Sequence, residues 1–135
     1  MLVVLYQLEY KIMVIAMKII ILSSFFKNDT IRQFYQLGMS PVMSRSIYET
    51  LEKLRMEKID GVLFFCYASY EDPIELILNV RDVDGTVPIF LVGCEKYRTK
   101  LDSLTRQPGI YCLGQDEDVV TAVRESVKKE GAFED

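Results

Sequence analysis

Histidine is absent from this sequence of 135 residues. Because histidine is the commonest general base, the commonest metal ligand and the usual physiological pH switch, its absence excludes the ordinary forms of those sites. Positive charge is also sparse: no run of lysine or arginine exceeds two residues, and the formal net charge is −4. An acidic surface repels phosphate backbones, so we expect no nucleic-acid binding by this chain alone.

Cysteine is scarce, with three residues, Cys66, Cys94 and Cys112. An odd number at no metal-ligand spacing argues against a disulfide framework and for a reducing, cytoplasmic compartment. All three fall at or near the ends of predicted strands, where we interpret them as small apolar residues that fill tight places. The alternative interpretation is a thiol cluster that acts as a redox or soft-metal site.

A clean apolar run long enough to cross a membrane is lacking. Residues 1–16 are very apolar, but Glu9, Lys11 and then Lys18 interrupt them, and a membrane helix needs about 20 such residues. The segment also lacks the basic start and the cleavage site of a signal peptide. We expect either an extension appended before a natural start at Met17, or an extra strand or helix that covers an apolar face, of this chain or of a partner.

What the sequence does contain is five apolar runs that alternate with helix-period segments. Such alternation predicts βαβ units and a parallel sheet. The predicted strands are Lys18–Leu22, Pro41–Met43, Gly61–Phe65, Val87–Val92 and Ile110–Leu113. We therefore predict one α/β domain over residues 17–130, a three-layer (βα)5 sandwich with strand order 2-1-3-4-5, and a short acidic tail at residues 131–135.

Capping residues and glycines predict where the helices begin and end. The predicted helices run from Asn28-Asp29-Thr30 to Leu37, from Ser46 to near Lys58, from Asp72 to Gly85, from Lys96 to Leu104 and from Glu117 to Lys129. The apolar faces are predicted to include Tyr35 in the first helix and Leu78 in the third. The acidic residues Asp72 and Asp116–Asp118 are interpreted as helix starts and not as metal ligands.

The stretch Asp60-Gly61-Val62-Leu63-Phe64-Phe65, followed by Asp72-Pro73, carries the most specific pattern in the chain. It resembles the receiver domain of bacterial response regulators, in which an Asp and four apolar residues precede the phosphoacceptor Asp. The resemblance extends over residues 17–130, where the strand spacing also fits. It implies the CheY-like, flavodoxin-type fold and a role in two-component signal transduction.

The same resemblance places the family's functional positions on residues that cannot perform its chemistry. The acidic pair that holds magnesium falls on Ser23 and Ser24, the phosphoacceptor on Phe65 (or on Cys66 with a shift of one), the Thr/Ser on Gly93 and the Lys on Gly114. Magnesium prefers anionic oxygens, and a transferred phosphoryl group needs cationic partners. We therefore predict a pseudo-receiver that is not phosphorylated on aspartate, is not an enzyme and holds no metal or cofactor.

Four tyrosines are the candidate interaction residues. Tyr67 and Tyr70 flank the loop after the third strand, Tyr97 begins the fourth predicted helix, and Tyr111 lies on the fifth strand. Exposed tyrosines supply large, rigid contact areas in interfaces. We expect an unidentified protein partner and a homodimer formed through the fourth helix, fifth strand and fifth helix; plain packing at the rim of the domain is the alternative.

Two other functions stay open. The segments Val87–Gly93, Glu95-Lys96 and Leu113–Ala122 resemble the N-terminal receiver-like wing domain of Orn/Lys/Arg decarboxylases, which implies a role in assembly. No lysine motif for pyridoxal phosphate is present, so such an enzyme would need a catalytic region outside this chain. The third possibility is a flavodoxin-like small-molecule or thiol redox site at the strand tips.

Overall fold

The computed structural model describes residues 17–25, 27–115 and 118–131. Residues 130 and 131 are described by their backbone alone. Five parallel strands form one sheet in the order β2-β1-β3-β4-β5, which confirms the predicted order. The strands are β1 Met17–Leu22, β2 Met39–Ser44, β3 Gly61–Phe65, β4 Ile89–Val92 and β5 Ile110–Leu113. The N-terminal extension, residues 1–16, and the tail beyond Gly131 lie outside the described residues.

Helices connect successive strands, as parallel pairing requires. They are α1 Asn28–Gln36, α2 Ile47–Met56, α3 Pro73–Val83, α4 Arg98–Leu101 and α5 Val119–Gly131, with 3-10 turns at Cys66–Ala68 and Glu95–Tyr97. No helix within the described residues combines the length and the apolar character that crossing a membrane requires.

The two faces of the sheet carry separate hydrophobic clusters. On one face, side chains such as Ile20, Phe64 and Leu91 pack against α2, α3 and α4. On the other face, Ile19, Leu63 and Phe90 pack against Phe34 of α1 and against the valines Val120, Val123 and Val127 of α5. Successive strand residues point to opposite faces, so the continuous apolar runs of β1 and β3 are those of central strands covered on both sides.

Local capping starts α2 and α3 where the sequence predicts. The Ser46 hydroxyl accepts a hydrogen bond from the Glu49 N–H at 3.0 Å, and the Asp72 carboxylate accepts one from the Ile74 N–H at 2.8 Å. Pro73 occupies the first helical position, where its missing N–H leaves no bond unmade. At the end of α1, Gly38 has the positive φ of +79° that a C′ glycine supplies.

The helix after β4 differs most from the prediction. The sequence predicts a helix over Lys96–Leu104, whereas the structure has the 3-10 turn Glu95–Tyr97 and then the single turn of α4. No side chain caps α4 at its start, and Leu101 is its one buried residue. Turns occupy residues 102–109. Without a cap or a wide apolar face, the segment lacks what stabilises a longer helix.

The predicted ends of two strands also need correction. β2 pairs with β1 over Met39–Ser44, not only over Pro41–Met43, and its proline is tolerated because β2 lies at the edge of the sheet. β4 begins at Ile89 rather than at Val87, because Pro88 has no N–H to donate to a neighbouring strand. The Pro88 carbonyl still accepts a hydrogen bond from the Val62 N–H at 2.9 Å.

Two residues predicted to lie on buried helix faces are exposed. Tyr35 is 60% exposed and Leu78 is 53% exposed. In α3 the buried face is formed by Leu76, Ile77 and Val80, and Leu78 lies about 100° further round the helix than Ile77. The predicted apolar face of α3 was therefore wrong in including Leu78.

Candidate functional site

The carboxyl ends of β1 and β3 are joined by hydrogen bonds from two serines. Ser23 follows β1 and is 1% exposed; its hydroxyl donates to the Phe25 carbonyl at 2.6 Å and accepts from the Phe25 N–H at 3.2 Å. Ser24 donates to the Ala68 carbonyl from its hydroxyl at 2.6 Å and from its N–H at 2.5 Å. Both hydroxyl groups are therefore committed to the backbone of the surrounding loops.

An aromatic pair follows at the end of β3. Phe65 is the last residue of β3 and packs against the Phe90 cluster. Its ring lies edge-on to that of Tyr67, with ring centroids 5.7 Å apart and an interplanar angle of 78°. Burial raises the pKa of the Tyr67 hydroxyl above its usual value. The position at which the receiver resemblance places a phosphoacceptor thus holds a phenyl ring in contact with a second ring.

Gly93, just beyond β4, leaves room for the Tyr67 ring because it has no side chain. Its φ of +68° lies in the region that favours glycine. A Cβ built on Gly93 would lie 2.8 Å from Cδ1 of Tyr67 and 2.8 Å from Cγ of Gln115. Any other residue at this position would push against the tyrosine ring, so Gly93 and Tyr67 form one packed unit across the ends of β3 and β4.

A cavity of about 110 Å³ lies beneath these side chains and is called here the β1–β3 cavity. Its described lining residues are Ile21, Ser23, Phe25, Lys27, Thr30, Ile31, Phe65, Tyr67 and Ala68. Among them Lys27 is the one charged residue, and there is no carboxylate. A divalent cation prefers carboxylate oxygens, so the described lining offers it no anionic ligand.

The described residues contain no group of three or more His, Cys, Asp and Glu side chains placed to hold a metal ion. The acidic residues have structural partners instead. Asp72 caps α3, as predicted, and the Asp118 carboxylate accepts from the Thr121 N–H at 3.2 Å in the first turn of α5. Glu71 accepts from the Ile47 N–H at 3.1 Å. Asp116 and Glu117 lie outside the described residues.

A second cavity, of about 400 Å³, lies where the ends of β4 and β5 meet α4; we call it the β4–β5 cavity. Its lining includes Cys94, Glu95, Arg98, Cys112 and Gly114. The structure therefore places Gly114 on the β4–β5 cavity, whereas Ser23 and Phe65 line the β1–β3 cavity and Gly93 lies against Tyr67. The five positions named from the sequence follow the same sheet edge without lining one pocket.

The expectation of no disulfide is wrong, because Cys66 and Cys94 are paired. Their Cα atoms are 5.2 Å apart, within the range that a disulfide spans. Cys66 directly follows β3 and Cys94 comes two residues after β4, and the register pairs Phe65 with Val92. An odd cysteine count hides such a pair, but the positions of both residues after adjacent parallel strands indicate it. The expectation of a reducing, cytoplasmic compartment was based on unpaired cysteines, so this pair removes the basis for it.

Cys112 is the free cysteine of the described residues, and it is exposed. Desolvation by partial burial, together with the nearby negative charge of Glu95, raises the pKa of its thiol. Its thiolate fraction near neutral pH is therefore lower than that of an ordinary cysteine.

The four candidate tyrosines do not form one surface. Tyr70 is fully exposed and Tyr67 is 56% exposed, both in the loop after β3. Tyr97 is half-buried against the cluster on the α3 face, with the Lys96 ammonium 5.1 Å from its ring centroid. Tyr111 is half-buried on the opposite face, where its ring stacks on Phe90 with centroids 5.0 Å apart. Sequence reasoning missed Phe25, which is 65% exposed and lies on the same edge as Tyr67.

Solved structures with a similar fold include receiver domains. A CheY-like response regulator receiver domain protein from Methanospirillum hungatei JF-1 matches with a TM-score of 0.70 at 16% identity, over 87% of this chain and 98% of that one. The receiver domain of a sensor histidine kinase from Pseudomonas aeruginosa PAO1, with a magnesium ion coordinated in its active site cleft, matches at 0.65 and 13%, over 84% and 96%. A response regulator from Burkholderia pseudomallei, with a phosphorylated aspartic acid, matches at 0.64 and 16%, over 88% and 75%.

No protein-family model matches the chain, and no curated protein does. At identities of 13–16% the likeness to the solved structures concerns the fold. That fold, with its parallel sheet in the order 2-1-3-4-5, is the one predicted from the sequence. The chain has the fold of CheY-like receiver domains.

Proposed function

We propose that this chain is a cytoplasmic, non-catalytic pseudo-receiver, which acts in signalling through protein–protein contact and not through aspartyl phosphorylation. The observation that carries the proposal is the β1–β3 cavity, whose described lining has no carboxylate. The receiver resemblance places the phosphoacceptor on Phe65, or on Cys66 with a shift of one, and the metal-binding pair on Ser23 and Ser24. Such a site has neither a nucleophile for phosphoryl transfer nor anionic ligands for the metal that the transfer needs.

The packing around the cavity supports the same proposal. The serine hydroxyls are hydrogen-bonded to loop carbonyls, and the Tyr67 ring lies against Gly93. Hydrogen-bonding capacity of the two serines that a phosphoryl group and its metal would need is used by the protein itself. Signalling would then come from partner binding or from one fixed conformation.

The exposed aromatic side chains at this edge are the proposed contact surface for a protein partner. Phe25 is 65% exposed, Tyr67 is 56% exposed and Tyr70 is fully exposed. Exposed rings of this size are more frequent in interfaces than on the remaining surface. The partner surface is thus proposed on the loops after β1 and β3, in addition to the tyrosines on and before β5.

The test of the phosphorylation claim is intact mass spectrometry after incubation with acetyl phosphate and Mg²⁺. An ordinary receiver domain in the same reaction serves as the control and must gain one phosphoryl group. We expect the mass of this chain to remain without a phosphate adduct. A phosphate adduct mapped to an aspartate of this chain would overturn the proposal.

A homodimer through α4, β5 and α5 is the second proposed contact. The observation that favours it is the short α4, a single turn beside the edge strand β5. Light scattering on the full chain tests it. We expect the wild-type chain to have the mass of a dimer. Lys100→Glu, at an exposed position of α4, should lower the measured mass, whereas the control Lys58→Glu, before β3, should leave it unchanged. A monomer mass at all concentrations contradicts this contact.

A further inference from the structure

We propose that Cys66 and Cys94 form a reversible redox switch, oxidised by low-molecular-weight disulfides that reach Cys94 through the β4–β5 cavity. The proposal goes beyond the phosphate-independent function above and does not depend on it. It starts from the placement of the two residues after adjacent parallel strands, with Cα atoms 5.2 Å apart. This spacing lets the bond form or break without moving the strands, since disulfides span roughly 4.4–6.8 Å between Cα atoms.

The two cysteines differ in their access to solvent molecules. Cys94 lines the β4–β5 cavity of about 400 Å³, whereas Cys66 is not among the described residues that line it. Both side chains are buried, at 5% for Cys66 and 8% for Cys94. An oxidant that enters the cavity therefore meets the Cys94 sulfur first. The cavity wall carries Arg98 together with the carboxylates of Glu95 and Asp102, so its charge does not select an anionic disulfide over a neutral one.

The chemistry is two successive thiol–disulfide exchanges. The Cys94 thiolate attacks one sulfur of a small disulfide, forms a mixed disulfide and releases one small thiolate. The Cys66 thiolate then attacks the Cys94 sulfur, forms the Cys66–Cys94 bond and releases the second small thiolate. The two protein thiols lose two electrons and two protons, and the small disulfide gains them as two thiols. The reverse sequence reduces the pair.

Cys112 lines the same cavity but is a poor attacking group. Burial and the charge of Glu95 raise the pKa of its thiol, so little thiolate is present near neutral pH. Both residues of the pair are buried, and limited access slows exchange with the surrounding thiol pool. The arrangement favours a state that persists until the surrounding thiol pool changes, which is the behaviour of a sensor. Disulfides in cytosolic proteins, where they occur, are usually of the transient catalytic or sensing kind.

The bond connects the segment around α4, the least supported part of the fold, to the loop after β3. Cys94 directly precedes the turn Glu95–Tyr97 and α4, where Leu101 is the one buried residue of the helix. Cys66 begins the turn Cys66–Ala68, whose last carbonyl accepts the hydrogen bonds of Ser24. Oxidation therefore fastens the α4 segment to the β1 and β3 loops, and reduction leaves that segment held by Leu101 and the partly buried Tyr97 and Leu104.

The test equilibrates the full chain with mixtures of reduced and oxidised glutathione, blocks free thiols with a maleimide after denaturation, and counts labels by mass. We expect three labels in reducing mixtures and one label, on Cys112, in oxidising mixtures. Cys112→Ser is the control and should change reversibly between two labels and none. Three labels in every mixture, or one label that native-state dithiothreitol cannot change, would overturn the proposal.

Two variants test the order of attack and the consequence. Cys66→Ser should accumulate a glutathione adduct on Cys94, and Cys94→Ser should accumulate far less on Cys66; equal adducts contradict entry through the cavity. In the wild-type chain, reduction should speed hydrogen exchange more in residues 95–105 than in α1 and β2, where only the general loss of stability acts. Exchange that rises equally in all segments would show global loosening and would contradict a local switch.

Discussion

Two neighbouring parts of one sheet edge are closed by different kinds of interaction. At the ends of β1 and β3, neutral hydrogen bonds and ring packing join the loops around the β1–β3 cavity: Ser24 bonds to the Ala68 carbonyl, and Tyr67 lies against Gly93. At the ends of β3 and β4, a covalent bond joins Cys66 to Cys94 beside an open cavity. The first closure contains no bond that thiol chemistry can change, whereas the second can be made and broken by it.

The difference lies in which groups remain available to a molecule from outside. At the ends of β1 and β3 the serine hydroxyls are bonded to loop carbonyls of the chain itself. The β4–β5 side keeps a cavity with charged walls and a disulfide next to a weakly held helix. The experiments below disturb either the contacts at the ends of β1 and β3 or the disulfide at the ends of β3 and β4.

Reduction of the Cys66–Cys94 bond should have the largest effect. A bond across a sequence separation of 28 residues restricts the unfolded chain, and its loss should lower the free energy of unfolding by about 3 kcal/mol. Urea denaturation with and without dithiothreitol measures the change. Cys112→Ser, at an exposed position, should change it by less than about 0.5 kcal/mol. Equal stability of the oxidised and reduced proteins would show that the bond constrains nothing.

Substitution of Gly93 should come next. Gly93→Ala places a Cβ in the left-handed region and against the Tyr67 ring, at a cost of about 2 kcal/mol in unfolding free energy. Gly85→Ala is the control, since a Cβ there meets nothing within 4 Å. Adding Tyr67→Ala should recover part of the loss, because it removes one of the two close contacts. Strictly additive effects of Gly93→Ala and Tyr67→Ala would contradict the packed unit.

The serine hydrogen bonds should each contribute less. Ser23→Ala removes the buried Ser23 hydroxyl from the Phe25 backbone groups that it bonds and should cost about 1–2 kcal/mol. Ser24→Ala removes an exposed hydroxyl bond to Ala68 and should cost about 0.5–1 kcal/mol. Ser103→Ala, in an exposed turn, is the control in the same denaturation assay. A Ser23→Ala variant as stable as the control would show that the loop does not depend on this hydroxyl.

Ionisation of Tyr67 should give the smallest effect. Burial raises the pKa of its hydroxyl above the usual 10.0, so the folded protein holds the phenol proton more tightly than the unfolded chain. The resulting stabilisation is complete below pH 10 and is lost as the pH rises through the folded-state pKa. Comparing alkaline stability curves of the wild-type chain and Tyr67→Phe measures it. The variant should lose less stability than the wild type, and parallel curves would contradict burial of the ring.

Most of the fold could be predicted because its signals are local. The apolar runs of β1 and β3 and the caps at Ser46 and Asp72 are each contained in a few adjacent residues. The length of the α4 segment could not be predicted, because its apolar residues suit a helix but its support depends on packing. Leu101 alone is buried there, and composition does not reveal how much of a neighbouring surface is available.

The candidate site also has one part that the sequence predicts and another part that it does not. Neutral residues at Ser23, Phe65 and Gly93 can be read directly from the sequence. The disulfide could not be predicted with confidence from cysteine counting, because it depends on which strands are neighbours and on their register, Phe65 with Val92. The contact of Tyr67 with Gly93 likewise joins residues that are far apart in the chain. Such pairings are properties of the assembled sheet.

The most direct test of the central claim is an NMR titration of the isotope-labelled full chain with Mg²⁺ and then beryllofluoride, which mimics a phosphoryl group on aspartate. The backbone amide signals of Ser23, Phe65 and Gly93 should keep their positions throughout, because the described residues at the ends of β1 and β3 offer no carboxylate to bind Mg²⁺ or to carry beryllofluoride. Saturable shifts of those three amides that require both Mg²⁺ and beryllofluoride would contradict it.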